Sequence, residues 1–327
     1  MTDRSKAPVF VLGCHRSGTN LLYDTLMSAG GFARYADELC VYQTLIPRFG
    51  DLRFQSHRRK LMDVWLRSKA FRRSGLDTEE IRAEIVEKCA SGGDFYQIVM
   101  GGIVRKQSAQ RWAAYGPDNA FYIPQIQREI PAALFIHIIR DGRDVALGLS
   151  KKPWIPSLPW DTSRRFLIMG AFWKWMVLKG QQNGRLAGSN YIEVQFENLV
   201  LNPRETLARL SDFLSQELDY DRIQHSAVGT VVRPNSSHYS ESTAGDFNPA
   251  GRWRKQISAQ DLSDFEALYG DLLQNLGYKR ASNEIGSPRL SNRVVRTLYP
   301  FFFESKLQLK SRTPLRRLAS LTPLEIQ

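Results

Sequence analysis

Arg16, Ser17, Thr19 and Asn20 crowd one fixed cation and three neutral hydrogen-bonding side chains into a short turn bounded by Gly13 and Gly18. Ahead of the turn, Val9, Phe10, Val11 and Leu12 form an apolar, partly β-branched run that predicts a strand buried on both faces. Behind it, Leu21, Leu22, Thr25, Leu26 and Ala29 fall at helical spacing. A strand, a Gly-bearing turn and a helix aim backbone N–H groups and a helix N-terminus at one spot, which suits a phosphate-like anion. A nucleotide triphosphate loop would need Gly-x-x-x-x-Gly-Lys-Ser/Thr. Gly13 and Gly18 keep that spacing, but Thr19 stands where the lysine should be, and the cation sits inside the turn as Arg16.

A second constellation follows another apolar run, residues 133–139. Arg140-Asp-Gly-Arg-Asp-Val-Ala-Leu147 places a guanidinium at a strand end and then opens a helix. A guanidinium there can fork onto phosphate oxygens. The bland alternative is a surface salt-bridge cluster of Arg140, Asp141, Arg143 and Asp144.

Together, Arg16-Ser-Gly-Thr-x-Leu-Leu22 and Arg140-Asp-x-Arg-Asp-Val-Ala146 resemble the 5′-phosphosulfate and 3′-phosphate segments of sulfotransferases that use PAPS, 3′-phosphoadenosine 5′-phosphosulfate. The resemblance runs from residue 8 to about 280. It implies PAPS as donor, no metal, and a donor site of His15, Arg16, Ser17, Gly18, Thr19, Asn20 and Arg140. Eight residues after Arg140 the family has a serine, and here stands Gly148. Ser150 lies about 200° further around the helix and does not replace it. Lys152, one turn beyond Gly148, is expected to add a cation. Gly251-Arg252-Trp253-Arg254-Lys255 resembles the loop that closes over the adenosine end. Trp253 reads equally as a ligand contact or as a core anchor.

The reaction needs a base for the acceptor hydroxyl and a cation at the leaving phosphate. Arg16 suits the second task. For the first, Arg34-Tyr-Ala-Asp37-Glu38 resembles the stretch that carries the base in tyrosylprotein sulfotransferases, which assigns Glu38 with Asp37 as alternate. This branch and its bacterial relatives are nearer than the cytosolic branch, whose base is a histidine. His57 and His137 are weaker candidates, and His137 falls inside a predicted buried strand. Glu197 reads as a local anchor.

The implied fold is α/β, three-layered, with a central parallel sheet flanked by helices in the P-loop NTPase-like sulfotransferase manner. Residues 1–280 are expected to form the sulfotransferase domain, with 51–130 as a helical insertion on the acceptor side. Residues 51–75 are strongly basic, Asp77 and Glu80 suggest a helix start, 163–180 a buried helix, and Ser258 with Asp261 another helix start. Lys151–Trp160, with its prolines and two indoles, is expected to wall the acceptor cleft. Residues 281–327 read as a basic amphipathic extension. It is expected to dock on the core or on a second copy, with peripheral membrane contact through 293–317 as the alternative.

The chain carries 45 basic and 33 acidic residues, a net +12. That suits an anionic donor, and no base-reading motif points to nucleic acid. Cys14, Cys40 and Cys89 are odd in number and dispersed, which argues for a reducing, cytoplasmic setting. With the first strand expected by residue 8, no signal peptide is expected within this sequence. Cys14 sits where a helix N-terminus and Arg16 could lower its pKa, yet it reads as a packing residue. The activity implied is transfer of a sulfuryl group from PAPS to a hydroxyl of a carbohydrate, lipid or small metabolite, with peptide tyrosine as a further option. The alternatives are a P-loop kinase and a non-catalytic binder of anionic or membrane surfaces.

Overall fold

Five strands form one parallel sheet in the order β2-β3-β1-β4-β5. They are β1 Val9–Gly13, β2 Phe32–Ala33, β3 Arg111–Tyr115, β4 Leu134–Ile139 and β5 Tyr191–Gln195. The computed structural model describes residues 4–152, 155, 158, 161, 163–226, 250–281, 290–313 and 322–324. β1 and β4 are buried along their whole length. Continuous Val, Ile, Leu and Phe runs require this, because helices cover both faces of the sheet.

Side chains alternate across the pleat. Phe10 and Leu12 join one core with Phe135, Trp112, Phe95 and Tyr96. Val9 and Val11 face the other way, against Leu22, Leu26, Ile136, Leu207 and Leu210. A third core binds the helices Gly142–Ser150, Arg165–Leu186 and Ala259–Asn275 through Val145, Leu149, Trp173, Phe265 and Leu273.

The chain runs from β1 outward to β2, inward to β3, across β1 to β4, and on to β5. The direction reverses between β1 and β4, and ligands of open α/β sheets bind beyond the carboxyl ends of strands at such a reversal. Gly13 pairs with Ile138, so the turns after β1 and β4 leave the same edge side by side. The segments after β2 and β3 leave that edge too, because all five strands are parallel.

Local signals explain several helices. Asp77 accepts the N–H groups of Glu79 and Glu80 at the head of Thr78–Lys88. Ser258 accepts from Asp261 N at 3.1 Å and heads Ala259–Asn275. Pro203 begins Pro203–Leu214. The buried helix expected over 163–180 extends over Arg165–Leu186.

The stretch 51–130 differs from expectation. It is mostly helical, but residues 111–115 are β3, which lies within the central sheet next to β1. Arg111 is buried there, its guanidinium donating to Ala7 O and Leu214 O. The helix Leu290–Arg312 packs Val295, Tyr299 and Phe303 against the core, with the Phe303 ring 5.6 Å from Trp175. Val294, Leu298 and Phe301 of the same helix are exposed. Residues 314–317 of the anticipated membrane segment lie outside the described residues, as do Pro153, Trp154, Pro159 and Trp160 of the anticipated cleft wall. Among the described residues, no helix is long and apolar enough to cross a membrane.

Candidate active site

The turn after β1 is built around close approach. A Cβ on Gly13 would sit 2.4 Å from Ile138 O, and one on Gly18, at φ +98°, would sit 2.4 Å from the Phe196 ring. Ser17 N donates to Cys14 O at 3.0 Å and closes the turn. Arg16 itself holds φ +71°, a conformation that costs a non-glycine residue about 1 kcal/mol. Its carbonyl accepts a hydrogen bond from Arg140 Nη1 at 3.1 Å, which ties the two anticipated phosphate segments together.

The helix Thr19–Ala29 begins without a side-chain cap and without an acid in its first turn. Its leading N–H groups therefore face outward from the turn with the positive end of the helix dipole. Ser17 Oγ is buried and has no hydrogen-bond partner. A buried hydroxyl left unpaired costs about 1–3 kcal/mol, and a phosphate or sulfuryl oxygen would satisfy it. The residues present thus fit the 5′ end of the donor. Cys14 does not act here: burial and Asp118 push its thiol well above the usual range, as befits a packing residue.

The second segment is more structural than the first. The N-terminus of Gly142–Ser150 is capped by Asp141, which accepts from Arg143 N. Arg143 is buried, paired with Asp141 at 2.7 Å and with Glu266 at 2.6 Å. Asp144 is shared between Arg140 at 3.5 Å and the N–H groups of Gly251 and Trp253, both at 2.8 Å. The cluster is therefore an interior network, not a surface one. Glu266→Ala is expected to destabilise the fold by about 3 kcal/mol, since it leaves Arg143 buried with half its counter-charge; urea titration would measure it.

Arg140 reaches the site from the end of β4. Its guanidinium lies 4.3 Å from the centre of the Phe196 ring, so Phe196 supports both Gly18 and Arg140. Gly148 faces Arg16: a Cβ there would lie 3.5 Å from Arg16 Nε and 3.6 Å from its Cβ and Cγ. That is ordinary contact, so the helix accepts a larger residue. Ser150 donates its hydroxyl to Ala146 O and is unavailable. Lys152 is exposed.

Trp253 is 3% exposed, with the Arg143 guanidinium 3.8 Å and the Arg254 guanidinium 4.5 Å from its ring centres. Of its two readings, the geometry matches the core anchor. Arg254 and Lys255 are exposed beside it, and Arg252 is half-buried. Glu197 accepts from Asp141 N at 3.0 Å and from the Tyr278 hydroxyl at 2.8 Å, which makes it a local anchor.

The acids gather on the other side of β1. Glu38 is half-buried in the segment after β2, and burial lifts its carboxyl to about 7. His15 pulls it down; Asp118 and Asp37 push it up further. Asp118 follows β3 and sits 3.6 Å from His15 Nε2. Burial works against the charged form of His15, but Asp118 and Glu38 outweigh it and raise its pKa. Asp37 is held by Arg73 at 3.4 Å.

The other histidines stand apart from this group. His57 Nδ1 contacts Asp51 O at 2.8 Å. His137 is fully buried, 2.6 Å from the Tyr191 hydroxyl, and burial lowers it to about 3. His238 lies outside the described residues. Among the described residues, no three His, Cys, Asp or Glu side chains are arranged to hold a metal ion.

Asp118 and Phe196 escaped the sequence reading. Asp118 follows an undistinguished Gly-Pro pair, and only the pairing of β3 with β1 brings it to His15. Phe196 lies in a Phe-Glu-x-Leu stretch that resembles one in the family, but nothing in the sequence marked its ring as the support of Gly18 and Arg140.

Comparison with known proteins finds relatives in sequence and in fold. Residues 8–221 match the model of the sulfotransferase family. The chain is 27% identical over 236 residues to a putative protein-tyrosine sulfotransferase of Caenorhabditis briggsae, covering 72% of this chain and 75% of that one. It is 24% identical over 291 residues to protein-tyrosine sulfotransferase A of Caenorhabditis elegans, covering 86% and 70%. The sulfotransferase domain of the Synechococcus PCC 7002 olefin synthase shares the fold, with TM-score 0.52 and 17% identity over 84% of this chain and 96% of that one. A family match over residues 8–221 takes in the turns after β1 and β4 and the acid-bearing segments between them, and this chain belongs to the sulfotransferase family.

Proposed function

We propose that this chain transfers a sulfuryl group from PAPS to an acceptor hydroxyl, with Glu38 as general base and Arg16 as the cation at the leaving phosphate. The observation that carries the reading is the meeting, on one sheet edge, of the Arg16 turn and the half-buried Glu38 carboxyl, which burial pushes up to about 7. A base with a pKa near the working pH moves protons most effectively.

When bound, the donor supplies the sulfuryl group, whose S–O bond to the 5′-phosphate breaks as a bond to the acceptor oxygen forms. Arg16 and the leading N–H groups of Thr19–Ala29 hold the phosphate on which the electron pair stays. Ser17 Oγ, buried without a partner, would donate to one of its oxygens. Glu38 takes the acceptor proton. Arg140 holds the 3′-phosphate from the neighbouring strand, and the loop Gly251–Lys255 is pinned to the same helix through Asp144. Gly148 removes the usual hydroxyl from that end. Gly148→Ser is expected to tighten binding of the product 3′-phosphoadenosine 5′-phosphate about tenfold, while Gly148→Ala leaves it unchanged; calorimetry distinguishes them.

Two acceptor classes stand. The hydroxyl of a carbohydrate, lipid or small metabolite is the first. The phenol of peptide tyrosine is favoured by the names of the relatives. The test is incubation with PAPS and a panel holding a tyrosyl peptide, an oligosaccharide and a hydroxylated lipid, read by mass spectrometry. Gain of one SO3 on any class supports the reading and names the acceptor. Phosphorylation from ATP instead would favour the kinase alternative. The three cysteines are buried free thiols, which supports a reducing, cytoplasmic setting as part of the same proposal.

A further inference from the structure

Three carboxyl groups share the ground between β2, β1 and β3: Asp37, Glu38 and Asp118. Three half-buried acids that act on one another would hold at least one proton among them unless cations balance them. Arg73 answers Asp37 at 3.4 Å. His15 stands 3.6 Å from Asp118. The Glu38 carboxyl packs against the turn that bears Asp118, 3.5 Å from where a Cβ on Gly116 would lie, so the imidazole and that carboxyl act on each other electrostatically. His15 belongs to the same turn as Arg16, one residue before it, so its position is fixed by the Cys14–Ser17 closure.

We infer that His15, clamped by Asp118, is a positioning residue that supplies the counter-charge beside Glu38. This rests on the reading of Glu38 as the base. It gives His15 a different task from donor binding, and it brings Asp118 into the site.

The groups that face Glu38 come from every neighbouring element. They are His15 from the turn after β1, Asp37 from its own segment, Tyr115 from the end of β3, Asp118 from the turn Pro117–Phe121 that follows it, and Tyr96 from the helix Gly92–Gln107. Burial holds both tyrosines neutral. His15 is thus the group that draws Glu38 toward its ionised form, and Asp37 and Asp118 oppose it. Asp118 acts indirectly by keeping the imidazole charged. His15 and Asp118 are each about a third exposed, so water screens the pair and the effect is moderate.

The arrangement suits the reaction. Before transfer, Glu38 must be ionised at neutral pH although burial opposes it. An imidazolium beside it shifts that balance without donating its own proton, because Asp118 retains the imidazole in its charged form. As Glu38 takes the acceptor proton, His15 and Asp118 remain a neutral pair.

The pH dependence of kcat/KM for full-length protein tests this. The acid limb of the wild type is expected near pH 7. His15→Gln should move that limb up by about one pH unit while leaving the affinity for 3′-phosphoadenosine 5′-phosphate within about twofold. His15→Lys, which keeps a cation, should leave the limb within about half a unit of the wild type. In Asp118→Asn, the His15 ring signal followed by NMR should titrate at lower pH than in the wild type.

An unmoved limb in His15→Gln, or an unmoved ring titration in Asp118→Asn, overturns the inference. So does a tenfold loss of nucleotide affinity with the limb in place, which would make His15 a donor ligand. Glu38→Gln separates the two claims: if that variant keeps the acid limb, Glu38 is not the base, whatever His15 does.

Discussion

Arg16→Ala is expected to lower sulfuryl transfer by about two orders of magnitude or more. The side chain is the cation that this turn offers to the donor, beside neutral N–H groups and hydroxyls; the turn's other cation, His15, is engaged with Asp118 at 3.6 Å. The turn itself does not depend on that side chain. It is closed by Ser17 N to Cys14 O and fastened by Arg140 to the Arg16 carbonyl, both through the backbone of the turn. The variant therefore keeps its fold and loses charge where the leaving phosphate develops it. Arg16→Lys should recover part of the rate, since a lysine restores charge without the guanidinium fork. Nucleotide affinity should weaken by about tenfold in Arg16→Ala. Near-normal single-turnover rates would remove the turn after β1 from the donor site.

Glu38→Gln is expected to reduce turnover by about a hundredfold or more, with nucleotide binding nearly intact. The change is close to isosteric and lies across β1 from the Arg140 end. Its stability signature has a definite sign. In the folded protein Glu38 keeps its proton up to about pH 7, whereas the ordinary carboxyl value is 4.5. Between those values the folded state binds more protons than the unfolded one, so each rise in pH removes stability, and above pH 7 the full penalty applies. Glu38→Gln removes the penalty. Its Tm should exceed that of the wild type at about pH 8, and the gap should close toward about pH 5. Loss of activity joined to a gain in stability marks a group placed for chemistry at the expense of the fold. Equal loss of binding and turnover, with a lower Tm, would mark Glu38 as structural.

The parts of the site that were legible are those written in contiguous residues. β1 and β4 show as unbroken apolar runs because both faces are covered, and each leads directly into its turn. Caps at Asp77 and Ser258 show because a side chain three residues from its partner suffices to satisfy an end. β3 did not show. Arg-Trp-Ala-Ala-Tyr has no β-branched residue, and its first position is an arginine. It is a strand because the Arg111 guanidinium finds Ala7 O and Leu214 O across the fold, a fact of tertiary packing.

Everything positioned by β3 was hidden with it. Asp118 meets His15 because Val11 pairs with Tyr115 on the neighbouring strand. The raised pKa of Glu38 was hidden for the same reason, since burial and the facing acids come from several elements. Trp253 shows a different limit. Its neighbours Arg252 and Arg254 made ligand contact and core anchoring equally readable, and the deciding contact comes from Arg143, far away in sequence. Gly148 was legible as a departure, but its consequence was not: it faces the stem of Arg16.

The measurement that bears most directly on the account is calorimetric titration of the protein with 3′-phosphoadenosine 5′-phosphate, with ATP and 2′-phosphoadenosine 5′-phosphate as controls. Two cationic segments on neighbouring strands, fixed to each other through Arg140 and the Arg16 carbonyl, predict binding of the 3′-phosphate isomer at about micromolar Kd and at least about tenfold weaker binding of both controls. Equal binding of all three nucleotides, or none, would contradict a donor site at the β1–β4 reversal.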